Sequence, residues 1–215
     1  MKIILGLLLV SILTGISTIS SADSVPPKTP FDSLSWKATS KEKPSDGIKM
    51  GTLRVQFEET TLDDIRQAAS AGEISHHGDA GESIYWLCYT NLSSSRAERI
   101  WVISHGEMGG SEHSVTGVSA QILPNVKATK DCPALPANLK PISLDNDLWL
   151  NSAASVVLKK LGAPSHKKEP WRVYDFEGKL PGNCDAEGFD LSNWLMVRVG
   201  KGRVTSLHAG QVTSC

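Results

Sequence analysis

The densest group of chemically capable side chains lies in Ser104–His113, which reads Ser-His-Gly-Glu-Met-Gly-Gly-Ser-Glu-His. His105, Glu107, Glu112 and His113 share this one glycine-rich loop. Imidazoles and carboxylates this close together could ligate a metal or act as an acid–base pair. The plainer reading is a polar hairpin turn, in which Gly109-Gly110 gives backbone freedom and the charges are solvated. A third reading is a contact surface for a partner, with Met108 as a soft apolar tip. The turn at the matching place later in the chain, Gly200-Lys-Gly202, carries no such cluster, which favours a specialised role for the first. His105-Gly-Glu107 repeats the H-x-E half of a zinc-deaminase signature, but the P-C-x-x-C half is absent. Four ionisable groups are costly to bury unpaired, so the loop is expected at an exposed hairpin tip.

Other candidates are more dispersed. His76 and His166 follow two similar helices and read as parts of the architecture; His77 beside His76 could make a weak metal pair. His208 falls in the last strand and is expected on an exposed face. Trp86, Trp101, Trp171 and Trp194 read as core or sheet-face aromatics. Tyr85, Tyr89 and Tyr174 could anchor a partner on an exposed sheet face, because aromatic side chains dominate binding hot spots. No G-x-S-x-G elbow, P-loop or H-E-x-x-H occurs. The sequence therefore implies neither a catalytic residue, a cofactor nor a metal ligand set. Asn91-Leu-Ser93 is a glycosylation sequon.

Composition narrows the class. The chain has 215 residues and a formal net charge of −1, with ordinary globular proportions of apolar and charged residues. That balance excludes the broad basic field of a non-specific nucleic-acid binder. Lys2, the apolar run Ile3–Leu13 and the small residues Ser20-Ser21-Ala22 predict a secretory signal peptide over residues 1–22. The rival is a retained anchor, but Gly6, Ser11, Thr14 and Gly15 interrupt the short apolar stretch. Cleavage leaves 21 basic and 23 acidic side chains and no transmembrane span. Export to the periplasm or beyond makes two disulfides the simplest use of Cys88, Cys132, Cys184 and Cys215, with three possible connectivities. Position along the chain favours Cys88–Cys132 and Cys184–Cys215, and Cys215 would tie down a terminal strand.

The elements follow from periodicity. Residues 23–47, with Pro26, Pro27, Pro30 and Pro44, predict a solvated flexible leader in which Phe31 or Trp36 could dock. Leu53, Val55 and Phe57 alternate with polar residues as in a half-buried strand. Thr61 and Asp64 fit a capping box before a helix whose face is Leu62, Ile65, Ala68 and Ala69. A second helix is expected after Asn151 or Ser152, with Ala154, Val157, Leu158 and Leu161 inward and Gly162 and Pro164 ending it. After each helix come G-x-x-S-H (72–76, 162–166), W-x-x-Y (86–89, 171–174), an apolar strand and a strand opening Val-Thr (115–116, 204–205). That recurrence predicts an α+β chain of two tandem repeats, each a helix packed on an antiparallel β-meander. The first repeat would span 48–121 and the second 148–215. A proline-rich connector, 122–147, would join them.

In the second repeat, Leu161-Gly162-Ala-Pro164, Trp171-x-x-Tyr174, Trp194–Val199 and Gly202-Arg-Val204 together resemble the SmpA/OmlA (BamE-type) superfamily. That superfamily includes outer-membrane assembly lipoproteins and, as a tandem repeat, the secreted β-lactamase inhibitor protein. This chain departs from the former in lacking a lipid-attachment Cys, and from the latter in its long connector and leader. The resemblance implies an α+β fold and a non-enzymatic, protein-binding or inhibitor-like role in the envelope. The partner would be another envelope or secreted protein. The competing expectation is a metal-binding protein or hydrolase built on His105, Glu107 and His113.

Overall fold

The computed structural model describes residues 24–29, 37–79, 82–93, 96–184 and 188–215. The expected signal peptide, Phe31 and Trp36 lie outside the described residues. The first half contributes β1 (Gly47–Met50), β2 (Leu53–Gln56), α1 (Leu62–Ala69), β3 (Ser75–His77), β4 (Ile84–Ser93), β5 (Arg96–His105) and β6 (Gly117–Ile122). After β7 (Ile142–Leu144) come α2 (Ala154–Leu161), β8 (His166–Lys168), β9 (Trp171–Leu180), β10 (Phe189–Gly200) and β11 (Arg203–Ser214).

Two antiparallel sheets result. The larger has eight strands in the order β3-β4-β5-β6-β11-β10-β9-β8; the smaller is β2-β1-β7. The seam between the two halves of the chain is β6 against β11, with Ala120 opposite Leu207 and Gly117 opposite Gly210. The β10–β11 hairpin turns through Lys201 and Gly202, both at positive φ, the backbone geometry a tight hairpin requires.

The fold class differs from the sequence expectation. The described residues are mostly strand, with two eight-residue α-helices and two sheets, so the chain is not an α+β array of helix-on-meander repeats. Two amphipathic segments are too short to set the class when strands of ten to twelve residues lie beside them. The meander strands also continue across β6–β11 into one sheet, and the small sheet combines strands of the first predicted unit with one from outside both units. That outside strand comes from the expected connector: β7 pairs with β1, Leu144 opposite Ile48, and Leu135 and Leu139 are buried in the same core.

Capping decides how well each helix matches expectation. Thr61 and Asp64 form a reciprocal capping box, and Leu62, Ile65 and Ala69 are buried. The second helix starts at Ala153 with no side-chain cap, so neither Asn151 nor Ser152 caps it; Ser152 Oγ accepts from the Trp149 amide instead. Only Val157 of α2 is buried, and Leu158 stands 54 % exposed.

One apolar cluster lies on one face of the large sheet. It joins Ile48, Val55, Leu62 and Ile65 to Tyr89, Val102, Val118, Leu144, Val157, Tyr174, Leu195 and Leu207. Both helices and the small sheet thus cover a single face. Cys88 bonds to Cys132 and Cys184 to Cys215, the pairing expected from position. No helix among the described residues is long and apolar enough to cross a membrane. Two disulfides and the lack of such a helix are compatible with an oxidising, extracellular location.

Candidate functional site

Side chains alternate across a strand, so the face away from the main core is made of the intervening residues. Cross-strand register aligns them in two rows. One row runs Cys88, Trp101, Ser119, His208, Met196, Val173. Its neighbour runs Trp86, Ile103, Gly117, Gly210, Trp194, Asp175. Trp86, Cys88, Trp101, Ile103 and Cys132 form a second, smaller apolar cluster at one end.

The centre of this face is low because glycines lie there. A Cβ on Gly210 would come within 2.6 Å of Trp194 Cζ2, and one on Gly117 within 3.0 Å of the Ala209 carbonyl oxygen. A hollow of about 660 Å³ results, lined by Ile84, Ile103, His105, Ser119, Trp194, Met196, His208 and Val212, and on its other side by Pro26–Thr29. Its size and largely apolar lining, with a few polar groups, are those of a ligand site.

Two imidazoles edge the hollow, and both are held neutral. His208 is 2 % exposed and shares a 2.8 Å hydrogen bond between Nδ1 and Ser119 Oγ. Burial lowers its pKa to about 4. His105 Nδ1 lies 2.7 Å from Thr116 Oγ1, and burial lowers its pKa as well. At the end of the second row, burial first and the Glu177 charge second push the Asp175 carboxyl up to about 6. The expectation that His208 lies on an exposed face is therefore corrected: β11 is central in the sheet and Pro26–Thr29 lie over that face.

The Ser104–His113 loop is divided rather than gathered. His105 faces the sheet hollow. His113 instead stacks on Tyr85 with centroids 3.9 Å apart, and His76 stacks on the other side at 4.4 Å. His76 Nε2 also lies 2.8 Å from Ser83 Oγ. Glu107 and Glu112 are exposed and Met108 is 47 % exposed, as expected of a tip, but His105 and His113 are partly buried. Between β5 and β6 the chain makes a short 3-10 turn, Gly106–Gly109, so the tip is a compact loop. Among the described residues no three His, Cys, Asp or Glu side chains gather in a way that could hold a metal ion.

The tyrosines share the core-side face and differ in burial. Tyr89 is 0 % and Tyr174 1 % exposed, both within the main core. Tyr89 donates to the Ala71 carbonyl, and burial pushes its pKa up to about 12. Neither offers an exposed anchor; Tyr85 alone of the three is partly exposed. Asn91 of the sequon donates to Glu98 Oε2.

The sequence marks Trp101 and Trp194 only as core or sheet-face aromatics and does not assemble them with Ile103, Ser119, Met196 and His208. Period-two alternation of Trp194, Met196 and Arg198 in β10 was the available signal. Nothing local signals that Gly117 and Gly210 meet across β6–β11. Compared with models of known families, with curated proteins and with solved structures, the chain finds no match.

Proposed function

We propose that this is an exported, periplasmic or secreted, non-enzymatic protein that binds another envelope or secreted protein on the face of its eight-stranded sheet that lies away from the main core. The supporting observation is that face itself. Its core-side counterpart is covered by both helices and the small sheet, whereas here the partly exposed Trp194 and Val212 lie beside buried Ile103 and Met196 around a hollow of about 660 Å³. Tryptophan-lined concavities with a few buried polar groups favour recognition over area alone. The resemblance of the motifs between Leu161 and Val204 to the SmpA/OmlA superfamily, with its assembly and inhibitor proteins, points the same way. A metal or hydrolytic role for His105, Glu107 and His113 has weaker support, because His105 and His113 line different hollows.

A photoreactive benzoylphenylalanine at Val212, which lines the hollow, tests the proposal against one at Leu158 on the covered side. Irradiation in envelope extract is expected to give a discrete protein adduct from position 212 and none from 158. Equal or absent labelling at the two positions would remove the sheet face as the binding surface.

A further inference from the structure

The sheet face away from the main core is not bare: the chain's own Ser24–Thr29 segment lies against it. Trp101 Nε1 donates to the Ser24 carbonyl at 2.8 Å, across 77 positions of sequence. Pro26 is buried and Pro27 half-buried, while Val25, Lys28 and Thr29 are exposed. Pro26 to Thr29 form one wall of the hollow, opposite Trp194 and Met196. An indole donor on a peptide carbonyl, beside proline rings on an apolar and aromatic floor, is the chemistry by which aromatic grooves hold polyproline-type segments. Two consecutive prolines suit such a floor physically. They have no N–H to satisfy and their fixed φ reduces the entropy lost on ordering.

More of the groove is offered than this segment uses. The hollow remains open beside Pro26–Thr29. On the same face Trp86 is 4 % exposed, and its indole N–H has no acceptor among the described residues. We propose that this face is a groove for an extended, proline-containing segment of a partner protein, and that Ser24–Thr29 occupies it in cis as a built-in competitor. This rests on the partner-binding reading above and adds the ligand's chemistry and its regulation. A tethered competitor acts at an effective concentration of order millimolar, so a partner peptide must displace it.

The test uses the full chain from Asp23 onward, labelled to follow the Trp101 indole N–H by NMR. The double variant Pro26→Asp/Pro27→Asp puts two charges where the floor is apolar and should expel the segment. Pro26→Gly/Pro27→Gly releases it without adding charge, should the first variant fold poorly. The probes are the peptide Ser-Val-Pro-Pro-Lys-Thr and its Ser-Val-Gly-Gly-Lys-Thr counterpart. The proline peptide is expected to shift the indole signal saturably in either variant and at least about tenfold more weakly in the unmodified chain. The glycine peptide should bind neither. Equal binding of the two peptides, or none to either variant, would overturn the proposal. So would an indole signal that follows protein concentration instead of peptide, since the face would then be an interface between copies. If neither peptide binds while position 212 still captures a protein, the groove chemistry falls and the partner-binding reading stands. If the proline peptide binds and position 212 captures nothing, the groove stands and that reading falls.

Discussion

His208 and Asp175 occupy the same sheet face and respond to acid in opposite senses. The folded-state pKa of His208, about 4, lies below the ordinary value of 6.5. Between those values the unfolded chain binds more protons, so this group's stabilisation is present above about pH 6.5 and lost on acidification towards 4. Asp175 is raised from 3.8 to about 6, so its protonated form favours the fold and its stabilisation is lost as pH rises through 6. Urea unfolding at pH 7 and pH 4 separates them. His208→Asn should be less stable than the parent at pH 7, with the gap narrowing towards pH 4. Asp175→Asn should be the more stable chain at pH 7, on the order of 1 kcal/mol since water reaches part of the carboxylate, with the gain gone by pH 4. Parallel pH profiles for parent and variants would remove the burial argument for both groups.

Helix ends and faces show where local chemistry suffices. The Thr61–Asp64 box closes on itself within one turn, and the two hydrogen bonds to the Asp64 carboxylate hold its pKa below the ordinary range. Thr61→Ala should cost about 1 kcal/mol in chemical denaturation, the usual loss for such a cap. The second helix is governed by its surroundings. Its start is pinned by the Ala154 amide on the Gly202 carbonyl, a contact made by the β10–β11 turn. Leu158→Lys should change stability by less than about 0.5 kcal/mol, because that side chain faces solvent despite its place in the apolar pattern. A loss of several kcal/mol would mean that another surface covers α2.

At the scale of the molecule, the two disulfides constrain different parts of the unfolded chain. Cys88–Cys132 spans 44 residues of sequence and ties the connector to β4 under the second apolar cluster. Cys184–Cys215 spans 31 and fastens the end of β11. Chain entropy gives each about 4 kcal/mol. Replacing Cys88 and Cys132 by Ala should cost more than replacing Cys184 and Cys215, because the first pair is also buried core. Denaturant titrations of the two double variants check the order; a larger loss for the terminal pair would reverse it. The main core, which includes both Ile48 near the start and Leu207 near the end, implies one cooperative transition.

Several features were legible in the residues alone because their causes are local. The α1 cap, the positions of both helices, the alternating strands and the disulfide pairing depend on neighbours a few places away or on order along the chain. The fold class was not legible. Short amphipathic segments look the same whether they dominate a unit or merely cover one face of a long sheet, and β6–β11 pairing joins residues some ninety positions apart. The candidate site was equally hidden. The loop rich in His and Glu was visible as composition, yet its two imidazoles turned to different hollows. The sheet groove is made by register, which set Gly117 beside Gly210 and Ser119 beside His208, and by a remote proline pair that forms one wall. Side-chain type could mark Trp101 and Trp194 as candidates; only the tertiary fold decided that they share one sheet face, with Trp194 on the hollow and Trp101 bonded to the segment that walls it, because only closure of the sheet brings those strands together.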